Sequence, residues 1–255
     1  MGAAKLRIPV VHIEAGLRSR DAMMAEEINR RVVDAISALC CAPSRTAMAS
    51  LEREGRGSAA VWTGDVSRGV LELHLPNAPA IPPARPDGRY AYCTLHRAEL
   101  TNDVPRLVGI LELLGRLPLR VILAMHPRTR AALGGQIGVG GTLEIMPPQG
   151  YLESLALTRD AAVIITDSGG VQREAYWLGV PCVTLRDETE WVETVACGAN
   201  QLVSPGEASR TLLQVVEHTL EAPPHGWDRD LLGTGDAGRL VTEAVRSFLG
   251  SGVAG

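Results

Sequence analysis

Short aliphatic runs alternate with longer amphipathic patterns along almost the whole chain, and no other feature limits the possible folds as strongly. Candidate strands fall at residues 9–13, 39–42 and 60–62, with helical patterns at 25–36 and 45–54 between them. A strand–helix alternation of this kind is the signature of βαβ units and therefore of a parallel sheet. The stretch NAPAIPPARPDG, residues 77–88, is rich in proline, ends in Asp-Gly and reads as a linker. A second alternation follows, with candidate strands at 90–95, 121–125, 142–145, 163–166, 182–185 and 201–203. Six strands suffice for a complete doubly wound sheet, whereas three are about half of one. The tail from Pro205 carries two helical patterns separated by APPHGWD.

Composition agrees with this reading. Hydrophobic residues make up 45% of the 255, yet aromatics only 4% with a single Phe, so the core is aliphatic, as buried parallel strands require. A net charge of -4 argues against nucleic acid or an anionic membrane as partner, since both call for a dominant basic surface. The five cysteines (Cys40, Cys41, Cys93, Cys182, Cys197) show no CxxC spacing, so neither a disulfide framework nor a metal site is indicated. Adjacent Cys40 and Cys41 read as small buried strand residues, and free thiols suit a reducing, cytoplasmic setting. No apolar run reaches membrane-spanning length, and the N-terminus lacks the layout of a signal peptide.

Chemistry-bearing residues cluster where strands are expected to end. DSGGVQREA, residues 167–175, follows a strand and opens a helical pattern. Its glycines allow close approach to backbone N–H groups at a helix N-terminus, which suits a phosphate or diphosphate; the competing reading is a turn that simply needs glycine. Ser168 adds a hydroxyl to Gly169 and Gly170, and Glu174, one turn along, offers a carboxylate to ribose hydroxyls. TLHRAE, residues 94–99, holds His96 at the mouth of the sheet, a position suited to acid–base work or phosphate contact. His126-Pro127-Arg128 repeats the arrangement one strand later, although a His-Pro turn can be purely conformational. RDETEWVET, residues 186–194, sets Arg186 in a charged loop that can close over the same ligand or merely be solvated.

The first part of the chain offers HIEAGLRSRD, residues 12–21, where Glu14 ends a strand, and AEEINRR, where Glu26 and Arg30 share one helix face. Two carboxylates beside a cation can have separated pKa values and act as base and acid. The simpler alternative is an ordinary ion pair on a helix surface.

Taken in order, HIEAGLRS, EEINR, GDV (residues 64–66), TLHRAE, HPR, TDSGGVQREA, PCVTLRDETEW and Gly198-Ala199-Asn200 resemble the non-hydrolysing UDP-N-acetylglucosamine 2-epimerases over residues 5–203. The resemblance implies an α/β fold of two Rossmann-like, doubly wound domains as in B-type glycosyltransferases. The first, residues 1–84 with the linker, is incomplete, and the second, residues 85–255, is the UDP-binding domain with C-terminal helices. It also implies a reaction: a base removes the C2 proton, UDP leaves C1 to give a 2-acetamidoglucal, and UDP adds back after reprotonation from the other face. That route requires no metal or redox cofactor. Carried over by position, Glu14 and Glu26 are the catalytic carboxylates, Arg30 their neighbouring cation and His96 the histidine beside the diphosphate. Ser168, Gly169 and Gly170 match the diphosphate turn, Glu174 the ribose contact, and His126, Arg128 and Arg186 complete the UDP site.

The sequence also departs from that pattern. The early GTRPE segment and the GDT loop of the family are not found, and Ala25 replaces the proline before the double glutamate. Met1 aligns with the helix after the GDT loop, which leaves roughly 100 residues of a doubly wound first domain outside this sequence. Three readings therefore stand. One is a working epimerase, either with the true start upstream of the one given or with the N-terminal segment supplied by another chain, as a homodimer or with a separate partner. Another is a nucleotide-sugar-binding protein without turnover, and the last a fragment whose open sheet edge exposes an apolar face. The TLRDETEWVE form also resembles epimerases of UDP-diacetamido-uronic acids, so the sugar's substituents stay open.

Overall fold

In the computed structural model, which describes residues 1–19, 24–80, 88–135 and 140–250, the alternation becomes two parallel sheets in two compact units. One unit is residues 1–73 together with 228–255, and the other is residues 74–227. Most of the expected linker, residues 81–87, lies outside the described residues, as do residues 20–23 of the first loop. Among the described residues no helix is long and apolar enough to cross a membrane.

The first unit holds a sheet of β1 (Val11–Ile13), β2 (Leu39–Ala42) and β3 (Ala60–Trp62), in that spatial order. The middle strand is buried along its whole length, which explains LCCA: small apolar thiols fit where both faces are covered. Leu39 and Cys41 pack with Val11 and Val61 against Val241, Val245 and Phe248 of the helix Ala237–Gly250. The expected boundary put that tail in the second domain; its apolar stripe instead covers the first sheet. GDV also has a packing role. Gly64 (φ +79°) and Gly233 (φ +95°) touch backbone to backbone, where a Cβ on Gly233 would stand 2.7 Å from the Gly64 Cα. The Asp65 N–H then donates to the Leu232 carbonyl at 2.8 Å, tying the tail to the end of β3. Ile13, Ile28 and Val32 remain exposed on this unit.

The second unit holds six parallel strands, β4 (Tyr90–Thr94), β5 (Arg120–Ala124), β6 (Leu143–Met146), β7 (Val163–Thr166), β8 (Cys182–Thr184) and β9 (Asn200–Leu202). Their spatial order is β6-β5-β4-β7-β8-β9. Successive residues face opposite layers. Ala91 and Cys93 join Leu107, Ile110 and Leu114 on one side, while Tyr90 and Tyr92 join Leu157 and Ala175 on the other. Truncating a fully buried member such as Leu107 to Ala costs about 2–5 kcal/mol, the transfer and cavity terms together. The helix Val104–Leu114 starts as its sequence suggests, with the Asp103 carboxylate accepting the Arg106 N–H and Pro105 in the first turn.

The chain builds outward from β4 through β5 to β6, returns to β7, and then builds the other way. The switch point lies between β4 and β7, and ligands of open α/β sheets bind outside the carboxyl ends of strands at such a point.

Candidate active site

Four loops leave adjacent strand ends in the second unit. His96 and Arg97 follow β4, His126 follows β5, Asp167 and Ser168 follow β7, and Arg186 follows β8. The inner pair, on either side of the switch point, is joined by a residue that the sequence reading passed over. Asp167 is almost wholly buried, and its Oδ2 accepts the backbone N–H groups of both His96 and Arg97 at 2.8 Å. Its Oδ1 lies 3.2 Å from His96 Nδ1. Burial pushes the Asp167 carboxyl up against the pull of those amides and of His96 and Arg97. Burial likewise lowers the His96 pKa, opposed by Asp167 and aided by His126, Arg97 and Arg128.

The His96 and His126 rings stand 5.2 Å apart. His126 caps the helix Pro127–Leu133, its Nδ1 accepting the Arg128 N–H at 3.1 Å, so the His-Pro turn is conformational whatever else it does. The Arg128 guanidinium reaches the His96 carbonyl at 3.5 Å, and the Thr129 hydroxyl donates to the Leu95 carbonyl, fastening this helix to the loop after β4.

Ser168 is the N-cap of the helix Gly169–Leu178, its Oγ accepting the Val171 N–H at 3.5 Å. The amides of Gly169 and Gly170 belong to the first turn and have no intrahelical carbonyl to bond, as a diphosphate site requires. Gly169 has a second reason to be glycine, since a Cβ there would stand 3.1 Å from the Trp191 indole nitrogen. Glu174, on the same helix, is half-buried, and desolvation pushes its carboxyl up to about 7 despite neighbouring Arg173.

Of the two readings of its loop, Arg186 does not follow the solvated one. It is buried, 2.8 Å from Glu190, which also lies 3.8 Å from Arg97. A buried amide network holds the rest of this loop. Thr189 donates to Gln172 Oε1 at 2.8 Å, Asn200 Nδ2 donates to the same oxygen at 3.2 Å, and Thr184 donates to Asn200 Oδ1 at 2.8 Å. Gln172 and Asn200 lay inside quoted motifs, but nothing in their spacing announced that they meet.

In the first unit, Glu14 sits directly after β1 with φ +66°, a left-handed conformation that costs a non-glycine residue about 1 kcal/mol or more. Its loop is clamped by Asp34, which is 2.6 Å from His12 Nδ1 and 2.8 Å from Arg18 Nη1 and accepts the Gly16 N–H at 3.1 Å. Arg18 extends the cluster to Glu54 at 2.5 Å. The two glutamates of AEEINRR part company in the helix Ala25–Ile36. Glu26 is exposed, whereas Glu27 is buried and accepts the Ser19 N–H at 2.9 Å and Arg31 Nε at 2.8 Å. Arg30 approaches Glu27 at 3.9 Å, rather than forming the Glu26 pair suggested by their spacing. Three of the expected residues thus lie in the first unit and eight in the second.

The model of the UDP-N-acetylglucosamine 2-epimerase family matches residues 1–246. The chain belongs to this family. It is similar to the UDP-2,3-diacetamido-2,3-dideoxy-D-glucuronate 2-epimerase of Pseudomonas aeruginosa, at 40% identity over 95% of this chain and 69% of the relative. Among solved structures of the family it resembles the Methanocaldococcus jannaschii UDP-GlcNAc 2-epimerase in complex with UDP-GlcNAc and UDP. That match has a TM-score of 0.85 and 36% identity, covering 96% of this chain and 71% of the other. The Neisseria meningitidis enzyme bound to UDP-GlcNAc gives a TM-score of 0.86 at 27% identity, with 96% and 71% covered. These likenesses support the α/β, B-type glycosyltransferase-like architecture for the epimerase chain.

Proposed function

We propose that the chain acts on a UDP-sugar as a 2-epimerase and that its second unit binds the UDP. The observation that carries this reading is the convergence of unbonded first-turn amides, a hydroxyl and a histidine on the switch point of the sheet. Gly169 and Gly170 N–H groups and the Ser168 hydroxyl hold the diphosphate, with His96, His126 and Arg128 beside it, and Glu174 accepts from ribose hydroxyls. Arg186 contributes through Glu190 by holding its loop in shape. In the first unit Glu14 and the exposed Glu26 exchange the C2 proton, and Arg30, which approaches Glu27, supplies positive charge from the same helix as Glu26. One carboxylate removes that proton while the C1–O bond to UDP breaks, the electron pair leaving with UDP. The resulting 2-acetamidoglucal is reprotonated on the opposite face and UDP adds back.

A second substrate is favoured by the 40% identity to the diacetamido-glucuronate enzyme, a UDP-sugar with a C3 acetamido group and a C6 carboxylate.

Proton NMR in deuterated buffer tests the reaction. The C2 proton of UDP-N-acetylglucosamine or of UDP-2,3-diacetamido-glucuronate is expected to wash out as the manno epimer appears, and the faster substrate identifies the sugar. UDP binding without exchange of either sugar would sink the epimerase assignment.

A further inference from the structure

Asp167 has chemistry that the proposed function leaves unused. Its Oδ2 is filled by two amides, whereas its buried Oδ1 has no hydrogen bond among the described residues and lies 3.2 Å from His96 Nδ1. An ionised carboxylate only accepts, so a hydrogen bond between these two atoms requires the proton on Nδ1. Burial pushes the Asp167 carboxyl up, but the two amides at Oδ2 and the His96 and Arg97 charges pull it back toward the ionised form, the form in which the shared proton sits on the ring.

We infer that Asp167 is the positioning residue that sets the His96 tautomer, holding the proton on Nδ1 so that Nε2 is bare until an anionic ligand arrives and draws a proton onto it. The ligand-bound ring is then an imidazolium that donates from Nε2 to a diphosphate oxygen while Nδ1 donates to Asp167. The proton comes from solvent and no covalent bond changes. The groups facing His96 act in both directions. His126, Arg97 and Arg128 oppose its protonation and Asp167 favours it, so a ligand's negative charge decides the balance. The opposite arrangement, a protonated Asp167 donating to Nδ1, would put the ring proton on Nε2 in the free protein.

This inference rests on the diphosphate reading of the site, but its first test does not. Nitrogen-15 shifts of the His96 ring, assigned by their loss in His96→Asn, are measured in the free chain at pH 7.5. The expected pattern is a protonated Nδ1 and a bare Nε2; a protonated Nε2 with bare Nδ1 overturns the inference without any variant. Asp167→Asn keeps an acceptor for the two amides but turns an NH2 group toward Nδ1, and is expected to move the ring proton to Nε2. An unchanged tautomer in a folded Asp167→Asn chain, with His96 and Arg97 amide exchange still slow, overturns it as well. UDP is then added. The wild-type ring is expected to become doubly protonated, and Asp167→Asn to lose that response together with about tenfold or more in UDP affinity. UDP that binds the wild type while Nε2 stays bare overturns the second half of the inference. UDP that fails to bind refutes the diphosphate site itself and leaves the tautomer result standing.

Discussion

Glu174→Gln separates what a residue contributes to binding from what it costs the fold. Burial raises the Glu174 carboxyl from its ordinary 4.5 to about 7. An acid raised in this way binds more protons folded than unfolded between those two values, so stability falls as pH climbs through that window. At 1.36 kcal/mol per pH unit the full effect is ~3 kcal/mol, or about 2 once partial exposure is allowed for. Glutamine has the shape without the ionisation. The variant is therefore expected to exceed the wild type in stability by about 2 kcal/mol at pH 8, the difference closing by pH 4.5. Urea unfolding followed by tryptophan fluorescence measures this. In a Trp62→Phe background the remaining indoles, Trp177, Trp191 and Trp227, all belong to the second unit, so one transition is followed. The same variant is expected to bind UDP about tenfold more weakly, because ribose hydroxyls lose a charged acceptor. A stability difference that is equal at pH 4.5 and pH 8 would refute the desolvation argument, and unchanged UDP affinity would remove Glu174 from the site.

Other perturbations test the clamps around the site. Asp34→Ala strands Arg18 and His12 and is expected to cost the first unit about 3–5 kcal/mol in urea unfolding followed through Trp62. Burial opposes ionisation of Asp34, but the bonds from His12 and Arg18 outweigh it and hold its pKa below the ordinary value. Its stabilising effect is therefore full above the unfolded value and lost as pH falls through the lower folded one, a limb that Asp34→Ala should lack in an acid titration. Gly233→Ala forces a left-handed alanine onto the Gly64 backbone and should cost more than about 1 kcal/mol, read as a lower urea midpoint; no shift would mean that the contact yields freely. Val241→Asp should free the last helix from β2, seen as rapid proteolytic clipping of residues 237–250 with the second unit left intact.

The strands of both sheets were legible because buried parallel strands write their own signature, an aliphatic run closed by a polar turn. Thus 39–42, 60–62 and 163–166 were read to the residue, while 142–145 begins one residue early because Thr142 spends its N–H on the Gly115 carbonyl and its hydroxyl on the Leu117 carbonyl, in the turn that leads into β5. The partner of the last helix was not legible. An amphipathic stripe announces that a helix will be covered, not which strand, nearly the whole chain away, will cover it. The site divides in the same way. His96 and the glycine turn show themselves by position at strand ends, but Asp167, Gln172 and Asn200 act through contacts across strands that only folding creates. The double glutamate was ambiguous because neighbouring helix positions point about 100° apart, and packing alone decides which is buried.

The return of the chain to its first sheet sets an order of events during synthesis. The sheet of β1 to β3 leaves the ribosome early but without the helix Ala237–Gly250, so Leu39 and Cys41 lack their cover until residues 74–227 have been made. The intervening unit is contiguous in sequence and can complete its six strands while the earlier segment is still waiting. Premature termination between Trp227 and Ala237 would thus release a finished second unit attached to a first one with an uncovered apolar face, a ready substrate for chaperones and proteases.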